Sequence, residues 1–303
     1  MNVSWVGVIA ACFGALGVTA PGASGRPSPS SARWAAEFYN HYRTIADVTY
    51  KTVGGTDLKL DIYQRSDLAG PVPTLFFVHG GGWVHQSRAD VLGNILPWLE
   101  MGWTVVNVDY RIANVARAPA AAEDCRCALH WVGQHAREYQ FDLDRLVISG
   151  ASAGGELALL CGMAPANAGL DADFPGEPLP RPAAMVSLSG ITDVVELQDT
   201  PNGVAWLPRG PERTEIARQV SPVTYVRAGL PPILTIHGDA DQAVPYASAV
   251  RFHAALSKVG VPNQLFTIPG GMHGGYPAET NVRIYEVIRA FLAEHHLTVS
   301  EKH

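Results

Sequence analysis

Basic runs are missing from this 303-residue chain, and its formal net charge is -6. No Arg/Lys-rich helix reverses that sign, which argues against nucleic acid as a partner. Charge is also scarce: charged residues make up 17% against 47% hydrophobic. That balance excludes a disordered chain, and the length is ample for a sizeable core. Cysteine is limited to four residues, one of which, Cys12, falls in an unusual N-terminal stretch. Cys125 and Cys127 lie two apart in a helical pattern and point to nearly opposite faces, so they can neither bridge each other nor clamp one metal. With Cys161 they read as small buried hydrophobes. There is no metal-ligand spacing and no internal repeat, so neither metal nor cofactor is expected.

Residues 1–25 form that N-terminal stretch. Val3 to Ala20 carries no charge and is followed by the small, turn-forming Pro21-Gly22-Ala23-Ser24-Gly25. The pattern is that of a signal peptide cleaved between Ala20 and Gly25, which implies a secreted or periplasmic protein with no stable membrane partner. The first residues carry no Lys or Arg, so the rival reading is an uncleaved anchor. Residues 26–47 read as an N-terminal segment and 48–298 as one domain.

Within that domain short apolar runs alternate with helical patterns. Val48–Val53 and Leu58–Tyr63, separated by Gly54-Gly55-Thr56-Asp57, predict an antiparallel hairpin. Six further strands are expected at Thr74–Val78, Thr104–Val108, Leu146–Ser149, Ala184–Leu188, Ile233–His237 and Leu265–Ile268. Helical stripes lie between them, the clearest being Ile284, Val287, Ile288, Phe291 and Leu292. Continuous apolar strands alternating with helices predict an α/β fold: an eight-stranded, mostly parallel sheet covered on both faces. Functional residues then gather at the carboxyl ends of the strands. Pro165–Pro182 reads as a long surface loop. Residues 191–225 read as an insertion, holding a short helix around Glu212–Val220 and placed to form a small lid.

Four strand ends carry chemistry. Gly150-Ala151-Ser152-Ala153-Gly154 follows Leu146-Val147-Ile148, and a G-x-S-x-G run between strand and helix holds a serine hydroxyl out as a nucleophile, often in strained backbone. His79-Gly80-Gly81-Gly82-Trp83 follows the third strand. Its glycines let backbone N–H groups approach an oxygen that turns negative in acyl transfer. His79 reads as a buttress of that loop, and His85 as a minor competitor for a working histidine. His273, ringed by glycines in Pro269-Gly270-Gly271-Met272-His273-Gly274-Gly275, is poorly suited to core packing and well suited to accept the serine proton. Asp239 and Asp241, after the seventh strand, compete to orient that imidazole. Spacing leaves the choice open, and the other aspartate becomes a turn cap. The order Ser, Asp, His fits this fold.

These motifs, with His237-Gly238-x-x-Asp241-x-x-Val244-Pro245 and Asp109-Tyr110-Arg111, resemble the α/β-hydrolase fold over about residues 48 to 295. More narrowly they are similar to the esterase/lipase group of hormone-sensitive-lipase-like carboxylesterases and feruloyl/acetyl-xylan-type esterases. The resemblance implies Ser152 as nucleophile, His273 as base and Asp241 as orienting acid, because the family's acid precedes Val-Pro by three residues. Backbone N–H groups of Gly81, Gly82 and Ala153 would form the oxyanion hole. Ala151 departs from the Asp common before the serine. Glu156 stands where relatives often carry His, Asn or Gln. It reads as a solvated or salt-bridged helix residue, the other reading being a carboxylate that alters the site's electrostatics.

The implied function is a serine carboxylesterase working through an acyl-enzyme on small-molecule or polysaccharide-linked esters. An amide-cleaving arylformamidase or peptidase on the same fold is the alternative, although the chain lacks the propeller of an oligopeptidase. A non-catalytic binding protein is a third reading, weakened because no member of the triad is missing.

Overall fold

A computed structural model describes residues 29–67 and 70–299. The signal-peptide reading of residues 1–25, with Cys12, lies outside these. In chain order the elements are α1 (Pro29–His41), β1 (Tyr42–Val53), β2 (Thr56–Arg65), β3 (Val72–Val78), α2 (Leu92–Glu100), β4 (Thr104–Val108), α3 (Ala120–Gln134), α4 (Ala136–Tyr139) and β5 (Phe141–Ala151). There follow α5 (Ala153–Met163), β6 (Ala184–Leu188), α6 (Pro201–Trp206), α7 (Arg213–Gln219), β7 (Ile233–Gly238), α8 (Tyr246–Lys258), β8 (Asn263–Ile268) and α9 (Ala278–Glu294).

The eight strands make one sheet in the order β1-β2-β4-β3-β5-β6-β7-β8. β2 runs antiparallel to β1 and β4, and every other pairing is parallel. Two tight glycines, Gly54 and Gly55, turn the β1–β2 hairpin, both with positive φ. That is the geometry a two-residue turn needs to follow the strand twist. The hairpin is longer than the apolar runs predict. β1 starts at Tyr42 rather than Val48, pairing Tyr42 with Arg65 and Ile45 with Ile62. Most of these leading residues are exposed or half-buried, so no hydrophobic run marks them. Within the expected N-terminal segment, residues 42–47 thus belong to β1, and Phe38 of α1 packs against one face of the sheet.

Alternation along the strands divides the core in two. Phe76 and Val78 of β3 face the layer built on α3, α5 and α8. Leu75 and Phe77 face the opposite layer, built on α2 and α9. The parallel strands are therefore apolar on both sides, as their sequences require.

Two connections are less open than their composition suggests. Within Pro165–Pro182, Leu170 and Asp171 are buried, and Asp171 takes a bidentate pair from Arg126 at 2.6 and 2.5 Å. Arg126 also donates to the carbonyls of Leu160 and Ala164, tying the end of α5 to that loop. In residues 191–225 the helix near 212–220 is present as α7, but α6 is an additional element. Its Trp206, with the adjoining Leu207, is fully buried. The insertion is thus packed into the core layer rather than laid over it. Cys125, Cys127 and Cys161 are free and buried, and burial pushes the Cys161 thiol up to about 12. Among the described residues no helix is long and apolar enough to cross a membrane.

Candidate active site

Ser152 occupies the turn between β5 and α5 with φ 56 and ψ −122, a conformation costly for any residue with a Cβ. The turn holds because its surroundings leave no alternative. The Ser152 N–H donates to Leu188 O at 2.8 Å, and Ser152 O accepts from Gly155 and Glu156. Gly154 packs so closely on the end of β3 that a Cβ would overlap the carbonyl oxygens of Val78 and His79. The turn is thereby pinned to the neighbouring strand ends.

On the β3 side, Gly81 and Gly82 both take positive φ. A Cβ on Gly81 would run into the backbone of His85, and one on Gly82 into the Asn202 side chain of α6. Ala153 is the first residue of α5, so its N–H has no intrahelical acceptor. The buttress expected of His79 is present. The buried imidazole stacks on Tyr110 with centroids 4.2 Å apart, and its Nδ1–H donates to Gly80 O at 3.0 Å. Tyr110 hydroxyl reaches Gly80 O at 2.9 Å and His79 O at 3.2 Å. Burial holds His79 below the usual imidazole range, which keeps it neutral. His85 is exposed. The Asp109-Tyr110-Arg111 run serves as scaffold on either side of that tyrosine. Asp109 accepts from the Arg88 N–H at 2.6 Å, while Arg111 grips Asp124 at 2.6 and 2.8 Å.

On the opposite side, β7 and β8 bring Asp241 and His273 together. His273 Nδ1–H donates to Asp241 Oδ2 at 2.7 Å, and the Ser152 hydroxyl donates to His273 Nε2 at 2.8 Å. The carboxylate beside Nδ1 fixes the tautomer, leaving Nε2 as acceptor. Asp241 is itself held: Oδ1 accepts the N–H groups of Ala243 and Val244 at 2.8 and 2.9 Å, and His237 Nε2 lies 3.2 Å from Oδ2. Geometry separates the two aspartates. Asp239 is exposed and accepts the Gly270 N–H at 2.6 Å, pinning the loop that carries His273.

Glu156 corrects the sequence reading. It is neither solvated nor salt-bridged but fully buried, and Oε2 accepts the indole N–H of Trp83 at 2.8 Å. Trp83 lies flat on Trp206, centroids 4.2 Å apart and planes 3° from parallel. The sequence does hold a signal for this. α5 is apolar all round, from Ala153 to Met163, and a helix without a polar face is buried whole, including any carboxyl it carries. Among the described residues no group of three or more His, Cys, Asp or Glu is placed to hold a metal ion.

A serine, histidine and aspartate joined at the strand ends of such a sheet define an α/β-hydrolase. The BD-FAE family matches residues 60–256, and the chain belongs to it. Among similar proteins, the esterase LipC of Mycobacterium tuberculosis is 33% identical over 71% of this chain and 56% of its own length. A probable carboxylic ester hydrolase of the same organism, LipM, is 32% identical over 73% and 53%. The chain thus spans about half the length of these curated relatives. A thermophilic esterase of Thermogutta terrifontis, Est2, superposes with a TM-score of 0.72 at 29% identity, over 85% of this chain and 94% of that one. The same esterase phosphorylated by paraoxon superposes with a TM-score of 0.73.

Proposed function

We propose that the protein hydrolyses carboxylic esters through an acyl-serine. The observation that carries this is the continuous hydrogen-bonded chain from Ser152 through His273 to Asp241. Ser152 Oγ attacks the ester carbonyl carbon while its proton passes to His273 Nε2. The carbonyl oxygen becomes an oxyanion facing the N–H groups of Gly81, Gly82 and Ala153. Asp241 stabilises the imidazolium across Nδ1. Collapse of the tetrahedral adduct breaks the carbon–oxygen bond, and His273 gives its proton to the departing alcohol. Water, deprotonated by His273, then attacks the acyl-serine and releases the acid. No step needs a metal or cofactor.

Short acyl groups are the class we assign, supported by relatives named esterases and by Est2 structures bound to propionate and butyrate. Carbohydrate-linked acyl esters extend that class. We infer export from the uncharged Val3–Ala20 run and the small residues after it.

Paraoxon and a p-nitrophenyl butyrate assay test the reading together. The native chain should turn over the ester and gain one diethylphosphoryl group, and Ser152→Ala should do neither while melting at the native temperature. Turnover or labelling retained by Ser152→Ala would sink the nucleophile assignment.

A further inference from the structure

The glycine turn that carries the proposed oxyanion donors has two ends. The first is tied down by His79 and Tyr110. The second is Trp83, a bulky residue at φ 63, where a side chain is strained unless its surroundings hold it. Three contacts do so. Trp83 O accepts the Ala113 N–H at 2.8 Å, its ring lies on Trp206, and its indole N–H donates to Glu156 Oε2. Glu156 is also one turn of α5 beyond the nucleophile, its N–H donating to Ser152 O at 3.1 Å. One residue therefore touches both the turn that presents the nucleophile and the turn that presents the oxyanion donors.

The geometry points to Glu156 as a positioning residue that holds Gly81 and Gly82 in register with Ser152 through its hydrogen bond to Trp83, a role that rests on the esterase reading above. It performs this as an uncharged acid. Its second oxygen, Oε1, is buried without a hydrogen-bond partner, and among the described residues no cation acts on it. The titratable groups around it are Tyr110 from the loop after β4, Cys125 of α3 and Cys161 of α5, each kept neutral by burial. Burial likewise drives Glu156 well above the usual carboxylate range, against a smaller opposing pull from the Trp83 bond. The proton resides on Oε1, and Oε2 is left as the acceptor that Trp83 needs. A carboxylate would gain a stronger bond to Trp83 but less than burial costs it, whereas a neutral acid or an amide offers the same oxygen.

Four full-length variants test this: Glu156→Gln, Glu156→Leu, Trp83→Phe and the double variant of the last two. With p-nitrophenyl butyrate, Glu156→Gln should keep kcat within about threefold. Glu156→Leu and Trp83→Phe should each lower kcat about 10- to 100-fold with KM little changed, the size expected when donors shift by a fraction of an ångström. Because they break one contact, the double variant should lose no more than the worse single. Wild-type kcat in Glu156→Leu, or a loss in Glu156→Gln equal to that in Glu156→Leu, would overturn the proposal. Should Glu156→Leu not fold, Trp83→Phe decides in the same way.

Melting against pH reads the buried acid without turnover. The unfolded chain releases the Glu156 proton above about pH 4.3 and the folded chain keeps it, so native stability falls as pH rises from there. Glu156→Gln removes that loss: it should melt above wild type at pH 8, with the gap closing towards pH 4. A gap independent of pH would overturn the neutral acid. If the unsubstituted protein turns over no ester, the esterase reading fails by itself, and the melting curves still decide whether Glu156 is neutral.

Discussion

Two carboxyls are buried within the same site and are treated in opposite ways. Asp241 meets four donor atoms: two backbone N–H groups on Oδ1, and the imidazoles of His273 and His237 on Oδ2. Glu156 meets one, the Trp83 indole, and its other oxygen has none. A charge taken out of water needs such replacements for its lost hydration, and only Asp241 receives them. The β7–β8 side is therefore built for an anion beside a histidine that must become cationic. The β3–β5 side is built for shape, holding a glycine turn by neutral contacts. The number of donors around a carboxyl, more than its depth, tells which role it has.

The comparison breaks most visibly when both carboxyls lose their capacity for charge. Asp241→Asn keeps the shape but presents the wrong tautomer to His273, and kcat should fall by about 10⁴-fold. Glu156→Gln should leave kcat within about threefold. Asp239→Asn should resemble the second, because Asp239 only caps the turn at Gly270. Steady-state kinetics of the three variants on one ester decides the matter. A larger loss at Asp239 than at Asp241 would transfer the acid's role and undo the contrast.

A smaller effect is expected where the glycine turn is held at its first end. Tyr110→Phe deletes a buried hydroxyl that serves both Gly80 O and His79 O. Losing such a bond costs about 1–2 kcal/mol, which lowers the melting temperature by about 2–8 °C, with kcat reduced several-fold. Unchanged melting would mean that the His79 stack and the Nδ1 bond hold the turn unaided.

The same division explains what can be read from the chain itself. Strand interiors are legible because Leu75-Phe76-Phe77-Val78 is apolar on both faces and Ile233–Ile236 is interrupted only by Thr235. Strand ends are not, since Tyr42–Asp47 is exposed or half-exposed and carries no apolar run to mark it. Ser152, Asp241 and His273 can be placed because each sits in a short motif at a strand end. Spacing cannot choose between Asp239 and Asp241. That difference lies in which loop amides each meets, and a loop's path is set by contacts distant in sequence. The burial of Glu156 can be read from its apolar helix, but its role eludes a sequence reading for the same reason. Its partner Trp83 is brought to it by the β3–β5 pairing, and Trp206 by an insertion whose burial no periodicity announces.

His237 gives the comparison a sign. It lies against Asp241 with Nδ1 buried and unpartnered, and burial lowers its pKa, opposed by the Val244 carbonyl and Asp241. The unfolded chain takes up a proton near pH 6.5 and the folded chain resists until lower pH, so stability falls as the solution is acidified through that range. Glu156 acts in the reverse direction, weakening the fold as pH rises above the carboxylate range. The native protein should thus melt at progressively lower temperature from pH 7 to pH 5. His237→Gln should recover about 2–4 °C of that drop. Recovery will be partial, because burial also lowers His79, His130 and His253. Identical slopes for variant and wild type would show that His237 takes up its proton in the fold as readily as in the unfolded chain.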